Sequence, residues 1–227
     1  YSRLKSFRLA IASVFGQTQS EWQLLIIDDC RNPGNEESRG KLKDERIRFI
    51  NLPERCGEQS GPNSVGMALA KTPFVAFLNH DDFWFADHLE TGLTSLQAHQ
   101  ADFYAGRAVF AKVSETDTLQ LEFPEVSPSN RELNGVFQHK LPYFEPASSW
   151  ILSRAACDAV GPWQWSNNLY RTPLQDWVLR AWRCGLRFAD GNRVSVIKLR
   201  LMRGYGEHPE ALSALDQDLS TDEDGLR

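Results

Sequence analysis

Two short apolar segments of this sequence each lead into a pair of aspartates, and this pattern constrains the fold more than any other. Residues 22–27 run directly into the first pair, and residues 74–78 precede the second pair by two intervening residues. The four acids are Asp28, Asp29, Asp81 and Asp82. Apolar segments of this kind are typical of strands buried in a parallel sheet, and open α/β sheets bind ligands beyond the carboxyl ends of their strands. Both pairs are therefore predicted to lie at the ligand-binding edge of one sheet.

The second pair allows two interpretations. Adjacent carboxylates at a strand end suit a hard divalent cation that carries phosphate oxygens. They also suit a polar turn that caps the helix predicted to begin near residues 86–89. The first pair favours the metal site, because two such strand ends are harder to explain as ordinary turns.

Other periodic signals predict the rest of the fold. Strand signals at 46–51, 103–113, 118–123, 149–153 and 193–201 alternate with helix signals at 4–15, 61–70, 89–99, 154–160 and from 172 onward. This alternation predicts an α/β fold with a central, mostly parallel sheet flanked by helices. The chain opens on a helix where such folds normally open on a strand. We expect either an α-first fold or, preferably, a first strand upstream of residue 1.

Composition argues against several classes of function. The 227 residues carry a net charge of -5 and a pI near 5.6, whereas nucleic-acid binding needs a basic surface. Four scattered cysteines fit reduced thiols in a cytoplasmic protein. No apolar run approaches the roughly 20 residues of a membrane span, so at most peripheral contact with a membrane is expected. No signal peptide is recognised at the start of the sequence.

A third acid lies in the first turn of the last predicted helix. Thr172 and Gln175 fit a capping box, and Pro173 suits the first helical position. Asp176 follows, where the helix dipole favours its ionised form. Its carboxylate either complements the dipole or accepts a proton from an attacking hydroxyl as a general base.

Taken in order, these features resemble the inverting glycosyltransferases of family 2, whose fold is the Rossmann-like, nucleotide-sugar-binding GT-A fold. The matching segments are residues 12–18, 25–29, 46–50, 63–70, 74–84 and 174–180. The resemblance implies a donor-binding half in residues 1–100 and an acceptor-binding, catalytic half in residues 101–206 of the same domain. Residues 207–227 are acidic and are expected to form a flexible tail.

The resemblance also implies roles for individual residues in donor binding. Asp28 and Asp29 match the acids that recognise the base and ribose of the nucleotide. Arg55 lies in a loop that approaches the nucleotide in the family, although a plain surface arginine is an equal alternative. Tyr1 looks like the remnant of the first strand's ending, and the strand itself is absent from this sequence. Asn79 occupies the first position of the family's Asp-x-Asp motif, near the ribose and the metal.

Metal binding and catalysis follow from the same resemblance. Asp81 is expected to bind Mn²⁺ or Mg²⁺ on the diphosphate, and Asp82 is expected to support the metal site. Asp176 matches the catalytic base of the family's Glu-Asp pair. Three departures weaken the match: Asn79 replaces an aspartate, Gln175 replaces the glutamate, and the family's first strand is absent from this sequence.

The function expected from this resemblance is transfer of a sugar from a nucleotide-sugar donor, with a UDP-sugar favoured, to an acceptor hydroxyl. The acceptor would be a saccharide or a lipid-linked glycan at the inner face of a membrane. A catalytically weak nucleotide-sugar-binding relative and a nucleotidyltransferase remain alternatives. Four tryptophans flank the expected acceptor side and either stack on sugar or pack in the core; they are Trp150, Trp163, Trp165 and Trp177.

Overall fold

Helices and strands alternate along the chain, and every predicted element overlaps an observed one. The structure is a computed structural model that describes residues 2–30, 44–113, 121–126, 146–170 and 172–200. The helices are α1 (Ser2–Phe15), α2 (Ser60–Leu69), α3 (His88–Ala98), α4 (Arg154–Val160) and α5 (Pro173–Arg183). The strands are β1 (Leu24–Asp28), β2 (Ile47–Asn51), β3 (Phe74–Ala76), β4 (Asp82–Trp84), β5 (Phe103–Val113), β6 (Leu121–Val126), β7 (Trp150–Ser153) and β8 (Phe188–Arg200). The predicted α/β class is confirmed.

The strands form a small parallel sheet and a larger sheet of mixed direction, so the prediction of one mostly parallel sheet with both aspartate pairs at its edge is wrong. Strands β1 and β2 form a parallel pair. The larger sheet has the order β3-β7-β5-β8-β4, with β6 also paired to β5. Within it only the β5–β8 pair is parallel. A strand buried on both faces shows the same apolar run whichever way its neighbours point, so periodicity does not determine direction.

The segment that carries the second aspartate pair also differs from the prediction. A single strand was expected over residues 74–78, but β3 ends at Ala76 and a separate strand, β4, begins at Asp82. These two strands lie at opposite ends of the sheet order, although only residues 77–81 separate them. In a flat sheet, β3 and β4 would be four strand spacings apart, or about 19 Å. The chain from Ala76 to Asp82 reaches at most roughly 20 Å when fully extended. Because this segment also contains a turn, the sheet must curl to bring its edges closer.

Buried aromatic side chains tie the two predicted halves together. Trp150, Trp163 and Trp177 pack on one another, with ring centroids 5.5 to 6.3 Å apart, and Phe77 and Phe103 complete this aromatic cluster. Each fully buried side chain of this size stabilises the fold by about 1.5–3 kcal/mol. Strands from residues 1–100 and 101–206 join the same sheet, while the functional division at residue 100 stays a prediction.

Helix α1 is fixed to the larger sheet by Gln17, which follows it. The Gln17 amide nitrogen donates to the carbonyls of Ser13 and Phe85, and its oxygen accepts from the backbone N–H of Leu89. This last bond caps the start of α3. Asp87, the residue that precedes this helix, makes no side-chain capping bond of its own. Helix α1 and the start of α3 are therefore held against each other.

Several predictions lie outside the described residues. These are Tyr1, the acidic segment 207–227 and residues 118–120 of the strand predicted at 118–123. Within the described part of the chain, no helix has the length and apolar character to cross a membrane.

Candidate active site

The first aspartate pair joins the end of β1 to the loop that follows β2 through hydrogen bonds. The backbone carbonyl of Asp28 accepts from Leu52 N–H at 2.9 Å. The Asp29 carboxylate accepts from the backbone N–H groups of Cys56 and Gly57, at 2.5 and 2.7 Å. Each carboxylate oxygen therefore holds one amide of this loop. Gly57 has φ 74°, a left-handed conformation that glycine adopts without strain.

The loop held by Asp29 contains Arg55, so three of the predicted donor-binding residues lie together. The Arg55 side chain is exposed, whereas the neighbouring Cys56 is partly buried. Burial raises the pKa of the Cys56 thiol, and the hydrogen bond and charge of Asp29 add to this shift. Binding of a nucleotide by Asp28, Asp29 and Arg55 remains a prediction.

The same loop reaches the segment between α4 and α5. The Glu58 carboxylate accepts from the backbone N–H of Ser166 at 3.0 Å. Ser166 adjoins Trp165, which is 44% exposed, whereas Trp150, Trp163 and Trp177 are almost fully buried. The structure therefore identifies three of the four tryptophans as core residues and leaves Trp165 accessible to a ligand.

The second aspartate pair occupies a turn that crosses the end of the sheet. The turn closes with a 3.2 Å hydrogen bond from Asp82 N–H to the carbonyl of Asn79. The Asp81 side chain is 19% exposed, and its Oδ1 lies 3.8 Å from Nδ1 of His80. Asp82, in contrast, is completely buried. The two adjacent acids thus point into different environments.

Three donors surround the buried Asp82 carboxylate. Its Oδ2 accepts from Ser148 Oγ at 2.5 Å and from Asn79 Nδ2 at 3.1 Å, and its Oδ1 lies 3.4 Å from Lys198 Nζ. Burial raises the pKa of Asp82 above its usual value, the charge of Lys198 opposes this shift, and Asp81 adds to it. With both oxygens engaged, Asp82 fits the supporting role better than direct contact with a metal, and its assignment to the metal site stays a prediction.

The turn could bind a divalent cation only together with the phosphate oxygens of a substrate. Among the described residues, no group of three or more His, Cys, Asp or Glu side chains comes together to hold a metal. Mg²⁺ is usually bound by one or two carboxylates together with substrate phosphates, rather than by a complete protein cage. Asp81, whose side chain is 19% exposed, fits that requirement, and its binding of a metal stays a prediction.

Asp176 is fixed in the first turn of α5, as the capping box predicts. Thr172 Oγ1 accepts from Gln175 N–H, and the Gln175 side chain accepts from Thr172 N–H, both at 3.3 Å. Asp176 Oδ2 accepts from Arg180 Nε at 2.8 Å. The Asp176 side chain is 18% exposed, and its role as a general base stays a prediction.

Sequence reasoning did not assign a role to Arg180. Its two terminal nitrogens donate to the carbonyls of Val160 and Pro162, at 2.7 and 2.9 Å. The guanidinium therefore joins the start of α5 to the end of α4. The i, i+4 spacing of Asp176 and Arg180 on a helix was the available signal.

Comparison with known proteins places the chain in a family. The sequence model of glycosyl transferase family 2 matches residues 1–161. This chain belongs to glycosyl transferase family 2. Succinoglycan biosynthesis protein ExoW of Rhizobium meliloti (strain 1021) is 37% identical over 100 residues, which are 43% of this chain and 31% of that protein.

Two further relatives of this family 2 chain have similar coverage. The putative teichuronic acid biosynthesis glycosyltransferase TuaG of Bacillus subtilis (strain 168) is 30% identical over 45% of this chain and 41% of its own length. The UDP-Glc:alpha-D-GlcNAc-diphosphoundecaprenol beta-1,3-glucosyltransferase WfgD of Escherichia coli is 27% identical over 47% of this chain and 42% of its own length. The matched part thus spans less than half the length of these relatives.

The fold of this family 2 chain is similar to that of a solved structure. S. aureus TarS 1-349, in complex with UDP-GlcNAc, superposes with a TM-score of 0.64 at 18% identity. The match covers 94% of this chain and 58% of TarS 1-349. The expected GT-A-like α/β fold is confirmed, with a sheet of mixed direction.

Proposed function

We propose that this chain forms the donor-binding and catalytic part of an inverting, metal-dependent glycosyltransferase. It would transfer a sugar from a nucleoside diphosphate sugar, with UDP as the favoured nucleotide, to an acceptor hydroxyl. Support for UDP comes from WfgD, whose name specifies UDP-Glc, and from TarS structures in complex with UDP and UDP-GlcNAc.

The observation on which the proposal rests is the setting of Asp176. Arg180 holds one carboxylate oxygen at 2.8 Å in the first turn of the helix, and because the side chain is 18% exposed we expect the second oxygen to contact the substrate. A carboxylate positioned in this way accepts the proton of the acceptor hydroxyl as that oxygen attacks the anomeric carbon. The bond from this carbon to the diphosphate oxygen breaks, and its electron pair leaves with the nucleoside diphosphate. A single displacement of this kind inverts the anomeric configuration.

The leaving diphosphate would lie beside the Asn79–Asp82 turn. Asp81 would hold Mn²⁺ or Mg²⁺ there together with the diphosphate oxygens. When bound, such a cation neutralises the charge that develops on the leaving group. Asp28 and Asp29 would bind the ribose and base, and the ordered backbone of the loop containing Arg55 would form the adjoining wall.

The acceptor would bind near Trp165. This exposed indole lies in the segment that joins the Asp29 loop, through Glu58, to the Asp176 helix, through Arg180 and Pro162. An aromatic face suits the apolar face of a pyranose ring. A saccharide or lipid-linked glycan is therefore proposed, in the synthesis of a surface polysaccharide. A lipid-linked acceptor would bring the protein to a membrane surface.

The direct test is to measure transfer from a panel of nucleotide sugars with Mn²⁺ and to determine the anomeric configuration of the product by NMR. Asp176→Asn should abolish transfer while nucleotide binding persists, because the amide does not accept the proton. Asp158→Asn, at an exposed carboxylate on α4, is the matched control and should retain activity. Full activity of Asp176→Asn would contradict the assignment of the base.

A second candidate is a nucleotide-sugar-binding relative with weak catalysis. Asn79 and Gln175 favour it, because both replace acids of the family pattern. Metal-dependent donor binding without turnover, for every donor tested, would support this candidate. Release of pyrophosphate from a nucleoside triphosphate would instead indicate a nucleotidyltransferase.

A further inference from the structure

One buried carboxylate anchors the turn that presents Asp81. Asp82 is completely buried at the start of β4, directly opposite Lys198 of β8 in the antiparallel register. Its two oxygens are shared among Lys198, Ser148 and Asn79. A buried carboxylate is costly unless such donors surround it. The position of the turn is therefore coupled to these three partners.

Ser148 binds both ends of the turn through a single hydroxyl. Its Oγ accepts from the backbone N–H of Asn79 at 3.0 Å and donates to Asp82 Oδ2 at 2.5 Å. Ser148 is itself fully buried, and its carbonyl accepts from Nε1 of Trp84 at 2.6 Å. The hydrogen bond from Trp84 fixes the backbone of Ser148 and so limits the movement of its side chain. The Ser148 hydroxyl in turn fixes the distance between residues 79 and 82, the two ends of the turn that contains Asp81.

The amide of Asn79 has a donor function that an aspartate would lack. Its Nδ2 donates to Asp82 Oδ2 at 3.1 Å. An ionised aspartate at 79 would place a second negative charge at about that distance from Asp82, and two carboxylates so close do not ionise together without a cost. An amide at position 79 is therefore matched to a buried acid at position 82.

We infer that Ser148 and Lys198 are positioning residues for Asp81, and that Asn79 serves this turn as a hydrogen-bond donor to Asp82. The inference rests on the proposed function, because Asp81 matters only if it binds the metal and diphosphate. The inference explains why an asparagine at position 79 is compatible with the site. The first acid of the family's motif is replaced by a neutral hydrogen-bond donor, and the turn that carries the second acid, Asp81, is kept.

A charge exchange between positions 79 and 82 is the sharpest test. Asn79→Asp adds a potential metal ligand, yet we expect it to weaken Mn²⁺-dependent UDP binding, measured by calorimetry, roughly tenfold. Adding Asp82→Asn to this variant removes the repulsion and should recover a large part of the loss. Tighter Mn²⁺-dependent binding by Asn79→Asp alone would overturn the inference, since residue 79 would then act as a metal ligand.

Ser148 is tested with a neighbour of equal burial as its control. Ser148→Ala should raise the Mn²⁺ concentration for half-maximal UDP binding by about tenfold, and Ser148→Thr, which keeps the hydroxyl, should restore it. Ser149→Ala removes a fully buried hydroxyl that donates to the carbonyl of Pro146, whereas the partners of Asp82 in the described part of the chain are Ser148, Asn79 and Lys198. It should leave the Mn²⁺ requirement unchanged. An equal effect of the two alanine variants would show general destabilisation and would overturn the role of Ser148.

Lys198→Met removes the ammonium from Asp82 Oδ1 and keeps the length of the side chain. It should raise the same Mn²⁺ requirement, and an unchanged requirement would overturn the role of Lys198. Failure of the proposed function gives a different result, in which the unmodified protein binds no nucleotide with any metal. The melting temperatures then decide the inference. Asn79→Asp must melt lower than the double variant with Asp82→Asn, and the opposite order would overturn the coupling.

Discussion

Arg180 Nε donates to Asp176 Oδ2 at 2.8 Å, while its terminal nitrogens bind two carbonyls at the end of α4. One guanidinium therefore sets both the direction of the proposed base and the angle at which α5 meets α4. Because the two carbonyls fix the guanidinium, its single hydrogen bond from Nε orients the carboxylate, and small misplacements of a catalytic group are costly.

Replacement of Arg180 by Met should lower kcat by about 10- to 100-fold and leave UDP affinity nearly unchanged. The reason is that Asp176 loses its orienting partner, whereas the donor-binding loop keeps its own hydrogen bonds. Steady-state transfer kinetics together with calorimetry measure both quantities. Arg183→Met, at an exposed arginine of the same helix, is the control; a similar fall in kcat there would contradict the specific role of Arg180.

Asp29→Asn should weaken nucleotide binding and lower the free energy of unfolding by about 1–3 kcal/mol. The substitution places an amide NH₂ against one of two backbone N–H donors, at Cys56 or Gly57, and removes the charge that strengthens both bonds. Urea unfolding and calorimetric UDP titration provide the measurements. Glu54→Gln, at an exposed acid in the same loop, should change neither value.

Trp165→Ala should raise the KM for the acceptor about three- to tenfold, with the KM for the donor unchanged. A three- to tenfold change corresponds to about 0.7–1.4 kcal/mol, which is the gain from burying roughly 30–55 Å² of apolar surface at about 25 cal/mol per Å². Trp165→Phe should retain part of the affinity. Trp182→Ala removes a tryptophan of similar exposure, 51% against 44% for Trp165, and serves as the comparison. If both alanine variants raise the acceptor KM alike, Trp165 has no specific role.

The buried His88 should make folding sensitive to acid. Its ring stacks on Trp84, its Nδ1 lies 2.8 Å from Ser195 Oγ, and burial lowers its pKa from 6.5 to about 3. Between these two pH values the unfolded chain binds the proton and the folded protein does not. Above pH 6.5, His88 is neutral in both states and does not lower the free energy of unfolding. As the pH falls from 6.5 toward 3, this free energy decreases by about 1.4 kcal/mol per pH unit.

The pH dependence of stability of His88→Asn tests this expectation. The variant keeps a polar partner for Ser195 but removes the titrating ring, so the unmodified protein should lose stability more steeply than the variant below pH 6.5. His99→Asn, at an exposed histidine at the end of α3, should follow the unmodified protein. Identical slopes for the unmodified protein and His88→Asn would contradict the prediction.

Local patterns predicted the elements of this fold well. The capping box of Thr172 and Gln175 located the start of α5, and the apolar run at 103–113 matches β5. Such signals depend on neighbours within one or two helical turns, or along one strand. They carry no information on which strands pair. The antiparallel direction of β7 beside β5 and the separation of β4 from β3 were therefore not predictable.

The sequence by itself determined the family, the alternation of helices and strands, and the acids Asp29, Asp81 and Asp176 as candidates for the site. Only the tertiary structure decided that Asp82 is buried while Asp81 is accessible, and that Trp165 alone among the four candidate tryptophans is exposed. The physical reason is the distance along the chain. Asp82 meets Ser148 across 66 residues and Lys198 across 116, and contacts of that separation leave no periodic trace in a sequence.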